Sequence, residues 1–265
     1  MMTATNPSHW QVFSTAIQFL TRIPVKGAMG HSADFYYTAL RRSVVFFPVI
    51  GGLIGLFTSL VGLLAVQIGL SPWLAAGLAI AAEATLTGAF HEDAFADTWD
   101  ALGGGWTREQ VLEIMKDSRL GTYGTMGLIL GVGIRGFAMA ELLEQDLPLA
   151  IFAMVAAACI ARIAIVAMMA TTDPITDRNS QAKDVSGTQT GKTLVWATLI
   201  SSPFWLAWVF VRPTEFIVAT VVSIAILVWF RRKLLKRIGG TTGDTLGCSA
   251  YLTQLVFLVV ATRTP

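Results

Sequence analysis

Residues 88–105 read GAFHEDAFADTWDALGGG and stand between two long apolar runs. Positions 91–100 hold His91, Glu92, Asp93, Asp97 and Asp100, in a chain with only 17 acidic residues. The three aspartates are four and then three positions apart. On an α-helix that spacing stacks them along one face, a turn apart. Carboxylates so placed repel one another by roughly 0.2–0.5 kcal/mol per pair. A divalent, oxygen-loving cation such as Mg²⁺ would relieve the repulsion. A solvated acidic surface patch is the alternative, and the flanking chain weighs between the two.

That flanking chain is apolar. The 265 residues are 54% hydrophobic and 14% charged, with a mean hydropathy of +0.62. Soluble domains carry roughly 25% charged residues, so the composition predicts an integral membrane protein. Apolar runs near the length a bilayer needs fall at 44–66, 72–90, 123–143, 148–171, 194–211, 214–230 and 248–262, the last three being short. Residues 9–23 have apolar residues at helical spacing (Trp10, Phe13, Ile17, Leu20) but are too polar to span, which predicts an interfacial helix ended by Pro24. Residues 25–43 read as a polar connector, and residues 1–10 lack the layout of a signal peptide. Cys159 and Cys248 lie in apolar runs without CxxC spacing, which predicts neither a disulfide framework nor a zinc site. No repeat or low-complexity linker divides the chain. The expected fold is all-α: one polytopic membrane domain, 1–265, of six or seven transmembrane helices, an N-terminal interfacial helix and a short helix within 91–122.

The basic residues orient it. With 91–122 in the cytoplasm and the spans alternating, the cytoplasmic side holds Arg22, Lys26, Arg41, Arg42, Arg108, Lys116, Arg119, Arg178, Lys183, Lys192, Arg231, Arg232, Lys233, Lys236 and Arg237. The other side holds Arg212 and Arg263. This is the asymmetry of the positive-inside rule, and it puts the loops 91–122, 172–193 and 231–247 on one face, where they can build one site.

Beyond the aspartates, Thr107 and Gln110 form a capping box that predicts a helix start. Lys116, Ser118 and Arg119 follow, beside Asp117 and a glycine turn. These groups suit phosphate oxygens, although a basic cluster facing lipid headgroups reads the same way. The stretch 239–247, GGTTGDTLG, sets four glycines around Asp244, as in a tight loop approaching a ligand. Glu83, Arg135 and Arg162 fall inside spans, where charges face a protein interior or a cavity. Glu83 lies 14 positions before Asp97 and on a continuous helix would support the same face; a buried ion pair is the alternative. Two motif-like runs carry little: GVGIRG at 131–136 lies inside a span, and GTQTGKT at 187–193 is one residue short of a P-loop, neither following a strand.

Carboxylates for a metal and cations for phosphate at a membrane face point to phosphoryl transfer, with a carboxylate or His91 taking the proton of an attacking hydroxyl. The same residues carry a family resemblance. The motif through Gly88, Phe90, His91, Asp93, Ala96, Asp97 and Asp100 resembles the signature of the adenosylcobinamide-GDP ribazoletransferases, the cobalamin synthases. Ala94 and Ala101 stand where that signature has glycines. FLTRIP at 19–24, FPVIG at 47–51, MKDSRLGTYG at 115–124 and GGTTGDTLG at 239–247 extend the likeness over nearly the whole chain.

The resemblance implies a Mg²⁺-dependent transfer at the cytoplasmic face of the bacterial inner membrane. Adenosylcobinamide-GDP would react with α-ribazole or its 5′-phosphate, releasing GMP. Within that reaction Asp93, Asp97 and Asp100, with Glu92, are expected at the metal, and Asp97, Asp93 or His91 at the proton. Lys116, Ser118 and Arg119 are expected at phosphate, with Glu83, Asp117, Asp244 and Arg162 supporting. The expected partners are the two substrates and membrane lipid, with no nucleic acid and a homo-oligomer left open. A CDP-alcohol phosphatidyltransferase is the next reading, but it needs aspartates spaced four and four after DGxxAR. An ion-coupled transporter is the third, but it places its charges mid-span.

Overall fold

The computed structural model describes residues 6–26, 32–175, 185 and 187–263. Arg178 and Lys183 of the basic set lie outside them. Twelve α-helices follow one another among the described residues: α1 (His9–Leu20), α2 (Ala33–Ser43), α3 (Phe47–Gln67), α4 (Pro72–Thr87), α5 (Phe90–Gly104), α6 (Arg108–Ile114), α7 (Thr122–Gln145), α8 (Leu147–Thr171), α9 (Gly191–Ile200), α10 (Pro203–Val211), α11 (Pro213–Arg237) and α12 (Gly243–Ala261). A 3₁₀ turn, Val44–Phe46, joins α2 to α3. Among the described residues five helical runs are long and apolar enough to cross a membrane: Ala33–Gln67, α7, α8, α11 and α12. Two bent pairs, α4 with α5 and α9 with α10, also pass as broken spans or re-entrant segments. The expected all-α polytopic membrane fold is what forms.

Helix starts follow the local chemistry. Proline occupies the first turn of α4, α8, α10 and α11, where its missing N–H costs nothing. Ser71 and Asp146 cap α4 and α8. The predicted capping box forms: the Thr107 hydroxyl accepts from the Gln110 amide at 3.3 Å, and the Gln110 side chain accepts from the Thr107 amide at 3.2 Å. Glycines four positions apart on α3 face α8. A Cβ at Gly51 would meet the Ala158 carbonyl at 2.5 Å, and one at Gly55 the Met154 carbonyl at 2.8 Å, so these glycines let α3 and α8 lie close.

Four boundaries differ from the sequence reading. The polar connector at 25–43 contains α2, which runs into α3. The N-terminal helix α1 is more than an interfacial strip: Val12, Ala16 and Leu20 are buried against the bundle, while Trp10 stays exposed. The run 194–211 is two helices bent by 69°, because Pro203 cannot donate the hydrogen bond that would continue α9. The run 72–90 stops at Thr87. Gly88 (φ 72°) and Ala89 (φ 55°) both adopt the left-handed conformation, and α5 leaves at 90° to α4. Glu83 therefore does not share a helix face with Asp97.

The helices place their polar ends together. The Arg22 amide donates to the Leu86 carbonyl at 2.7 Å, and Pro174 bridges to Thr241. The Arg108 side chain donates to the Ile238 carbonyl (3.1 Å), and Arg231 to the Thr171 carbonyl (2.8 Å). These bonds tie α1, the ends of α4, α8 and α11, and the starts of α6 and α12 into one end of the bundle. At the opposite end Gln145 at the close of α7 donates to the Thr262 carbonyl after α12. The clustering of the 91–122, 172–193 and 231–247 loops at one end holds for their described residues.

Candidate active site

Helix α5 lies across the polar end and packs against α12. Their contact is close because residue 247 is glycine: a Cβ there would meet the Ala94 Cβ at 2.5 Å. The alanine at 94, where the related signature has glycine, is thus accommodated by the glycine opposite. Ala101 is fully buried. Gly243 and Asp244 form the first turn of α12, with the Thr242 hydroxyl accepting from the Thr245 amide at 3.2 Å. This contact carries Asp244, half-buried, to the same region as α5.

The aspartates of α5 divide by what covers them. Asp93 is exposed and Asp97 half-buried, one turn apart. Asp100 is buried. Its carboxylate accepts from the Gly121 amide at 2.7 Å and the Gly124 amide at 2.8 Å. Those amides open α7, so Asp100 is the anionic cap of that helix. A Cβ at Gly121 would meet the Asp100 Oδ1 at 2.5 Å, which accounts for the glycine turn. Replacing Asp100 with Ala is expected to destabilise the protein by about 1–3 kcal/mol while leaving the metal dependence of activity unchanged. Thermal melting and an activity titration with metal check both halves.

Glu92, also expected at the metal, turns inward. The Arg135 guanidinium donates to Glu92 at 3.0 Å and forms a short ion pair with Glu83, which also accepts from the Thr58 hydroxyl at 2.6 Å. Arg162 lies fully buried nearby, donating to Gln254 (3.2 Å) and the Ala158 carbonyl (3.2 Å) and facing His91 Nδ1 at 3.4 Å. Two carboxylates and two guanidiniums thus balance inside the bundle and link α3, α4, α5, α7, α8 and α12. Sequence reasoning counted Glu83 and Arg162 as supports but missed the fork from Arg135 to Glu92, a pair 43 positions apart. A guanidinium only donates, so His91 Nδ1 accepts and the neutral ring carries its proton on Nε2, which has no protein partner. In that state the one lone pair of the ring, on Nδ1, faces the Arg162 guanidinium.

The phosphate candidates stand on the 115–121 turn. Lys116 and Ser118 are exposed. The Arg119 guanidinium grips Asp117 at 2.6–3.0 Å, and these hydrogen bonds hold the Asp117 carboxyl below the usual carboxylate range. A cavity of about 260 Å³ opens beside α5, lined by Thr98, Trp99, Tyr123, Trp229, Phe230 and Lys233. Lys233 stands 5.3 Å over the Trp229 ring. Both cysteines are free and buried, as their spacing predicts. Among the described residues no three His, Cys, Asp or Glu side chains gather into a ready metal cage.

With this geometry in place, comparison with known proteins becomes specific. Residues 12–262 match the family model described as cobalamin-5-phosphate synthase. The chain belongs to the cobalamin-5-phosphate synthase family. It is similar to the adenosylcobinamide-GDP ribazoletransferase of Bradyrhizobium diazoefficiens, with 38% identity over 93% of this chain and 91% of that one. The enzymes of the same name from Rhizobium etli (38% identity, 92% and 93% covered) and Leptothrix cholodnii (35%, 92% of each) are similarly related. No solved structure matches. Cobalamin-5-phosphate synthase membership makes the chain a membrane-type helical transferase of cobalamin biosynthesis. It also sets aside the CDP-alcohol and transporter readings.

Proposed function

We propose that the chain joins adenosylcobinamide-GDP to α-ribazole or α-ribazole 5′-phosphate, with release of GMP, at the cytoplasmic face of the bacterial inner membrane. The observation that carries this reading is that exposed Asp93 and half-buried Asp97 stand one turn apart on a helix at the polar end of the bundle. Basic loops surround that helix. In balanced form, a ribose hydroxyl of the acceptor forms a new P–O bond to the cobinamide-side phosphorus. The P–O bond to GMP breaks, and the hydroxyl proton passes to a carboxylate of α5. Asp97 fits that role better than His91, whose ring is buried and whose Nδ1 faces the Arg162 guanidinium.

The donor set suits Mg²⁺, which is typically held by one or two carboxylates and completed by substrate phosphates and water rather than by an all-protein cage. Asp93 and Asp97 would hold it, with Asp244 close by on α12. Glu92 and Asp100 are committed to Arg135 and to the α7 amides. When bound, the ion would supply charge neutralisation at the diphosphate. Lys116 and Ser118 are placed to receive phosphate oxygens, and Arg119 can join them by releasing Asp117. The cavity beside Trp99 and Trp229 has the apolar, aromatic lining that a planar base ring would stack on, with Lys233 at hand for a phosphate.

Charge supports the cytoplasmic side. Among the described residues, the end of the bundle bearing α5 carries most of the basic residues that are not buried, and the positive-inside rule assigns such an end to the cytoplasm. The test of the substrate assignment is GMP release by the full chain in liposomes given adenosylcobinamide-GDP. Release is expected only when α-ribazole or its 5′-phosphate is added. Release at the same rate without an acceptor would identify a hydrolase instead.

A further inference from the structure

The cavity beside α5 is walled by four helices: α5 (Trp99, Leu102), α7 (Tyr123), α11 (Trp229, Lys233) and α12 (Leu252). At about 260 Å³ it is smaller than the roughly 300–1,000 Å³ of sites that enclose a drug-sized ligand, so it suits one part of a larger molecule. A Cβ at Gly103 would meet the Tyr123 ring at 2.5 Å, so glycine there lets that ring close one wall. Such walls receive a base ring or an acyl chain alike, and position separates the two. Residues advance about 100° each around a helix, so Trp99 and Leu102 project about 160° and 140° away from Asp97. A guest of the cavity therefore lies across α5 from that carboxylate.

The mouth of the cavity has the character of a membrane interface. Helix α11 is long and apolar enough to span, and Ile217, Val221, Ile224 and Val228 along it are exposed. Near its basic end Trp229, Arg232, Lys233 and Lys236 are spaced three and four apart, which puts them on one face. Arg232 and Lys236 are exposed, and the Lys233 ammonium stands 5.3 Å over the Trp229 ring, which holds its charge at the mouth. Arg231 and Arg237 turn elsewhere, to the Thr171 and Gly105 carbonyls. Trp99, Tyr123 and Trp229 are exposed around the same opening. Tryptophan and tyrosine gather at headgroup level, and basic pockets between spans take phosphorylated headgroups. An apolar recess with cations a turn beyond it matches the two halves of one amphipathic molecule.

We propose that this cavity is an anionic-phospholipid site. One acyl chain lies in the recess between Trp99, Leu102 and Leu252, and the headgroup phosphate rests on Lys233 with Arg232 and Lys236. The inference does not depend on the reaction assigned above, because its readout is lipid binding and not turnover.

The full-length chain is extracted from mixed phosphatidylcholine–phosphatidylglycerol vesicles, and native mass spectrometry measures its affinity for each lipid. The wild type is expected to hold phosphatidylglycerol more tightly. Lys233→Gln is expected to weaken phosphatidylglycerol about fivefold, the effect of one cation near a membrane surface, and to leave phosphatidylcholine unchanged. Lys233→Arg is expected to stay close to wild type. Leu252→Trp fills the recess, and Trp99→Ala opens a wall at an exposed position. Both are expected to weaken phosphatidylglycerol with every charge in place, and thermal melting checks that each variant is folded. A wild type without preference for phosphatidylglycerol, or unchanged affinity in Lys233→Gln, Leu252→Trp and Trp99→Ala, would overturn the proposal. A loss with Lys233→Gln but with neither wall variant would also overturn it, leaving a basic surface without a cavity site. Calorimetry with α-ribazole 5′-phosphate supplies the remaining control: affinity lost in the wall variants while lipid affinity stays would put the acceptor there instead of a lipid.

Discussion

Asp97→Asn is expected to lower GMP release by about 10²–10³-fold, the range seen when one charge-stabilising group is removed from a transition state. The substitution keeps the shape of the side chain and removes its charge. Asp97 lies half-buried on α5, one turn from Asp93. It is therefore close enough to the open face to serve the reaction and covered enough to be held in place. The fold should persist, because the ion-pair network that binds the helices runs through Glu83, Glu92 and Arg135 instead. Parallel measurements of activity and thermal melting decide the matter. Turnover within a few-fold of wild type would remove Asp97 from the site. A collapse in melting temperature would make its role structural.

Arg135→Leu is expected to act in the opposite way, on the fold. Arg135 is only 1% exposed and forks between Glu83 and Glu92. Removing it leaves two carboxylates inside the bundle without that cation. Breaking a buried pair by deleting one partner typically costs about 3–5 kcal/mol, and here two pairs break. Folded proteins have only about 5–15 kcal/mol to lose. The variant should fail to give a monodisperse peak in detergent, or should melt far below the wild type. Arg135→Lys, which keeps the charge but loses the planar fork, should fall between. An Arg135→Leu protein that melts like the wild type would mean that the buried network adds little to stability.

The difference between these two predictions also marks what the sequence could and could not say. The apolar runs and the asymmetry of basic residues were enough for a polytopic helical bundle with one basic end, because span length and charge position are local properties. The capping box at Thr107 was readable for the same reason. The stop of α4 had a local signal too, in Gly88, but the apolar residues on either side masked it, and the left-handed conformation of Ala89 has no sequence signature. Asp93 and Asp100 are seven positions apart and share a helix face, as their spacing predicts. Yet the turn holding Gly121 and Gly124 folds over one end of that face and takes Asp100 as its cap. The pairing of Glu92 with Arg135 is likewise a matter of tertiary contact. Spacing finds a face; it does not show which part of that face the rest of the chain will cover.

The central claim is that Asp93 and Asp97 of α5 work through a divalent metal. The direct measurement is GMP release by the full chain in liposomes, with both substrates present, before and after excess EDTA and then after added Mg²⁺. Activity is expected to vanish with the chelator and to return with Mg²⁺. Undiminished GMP release in excess EDTA would contradict the account.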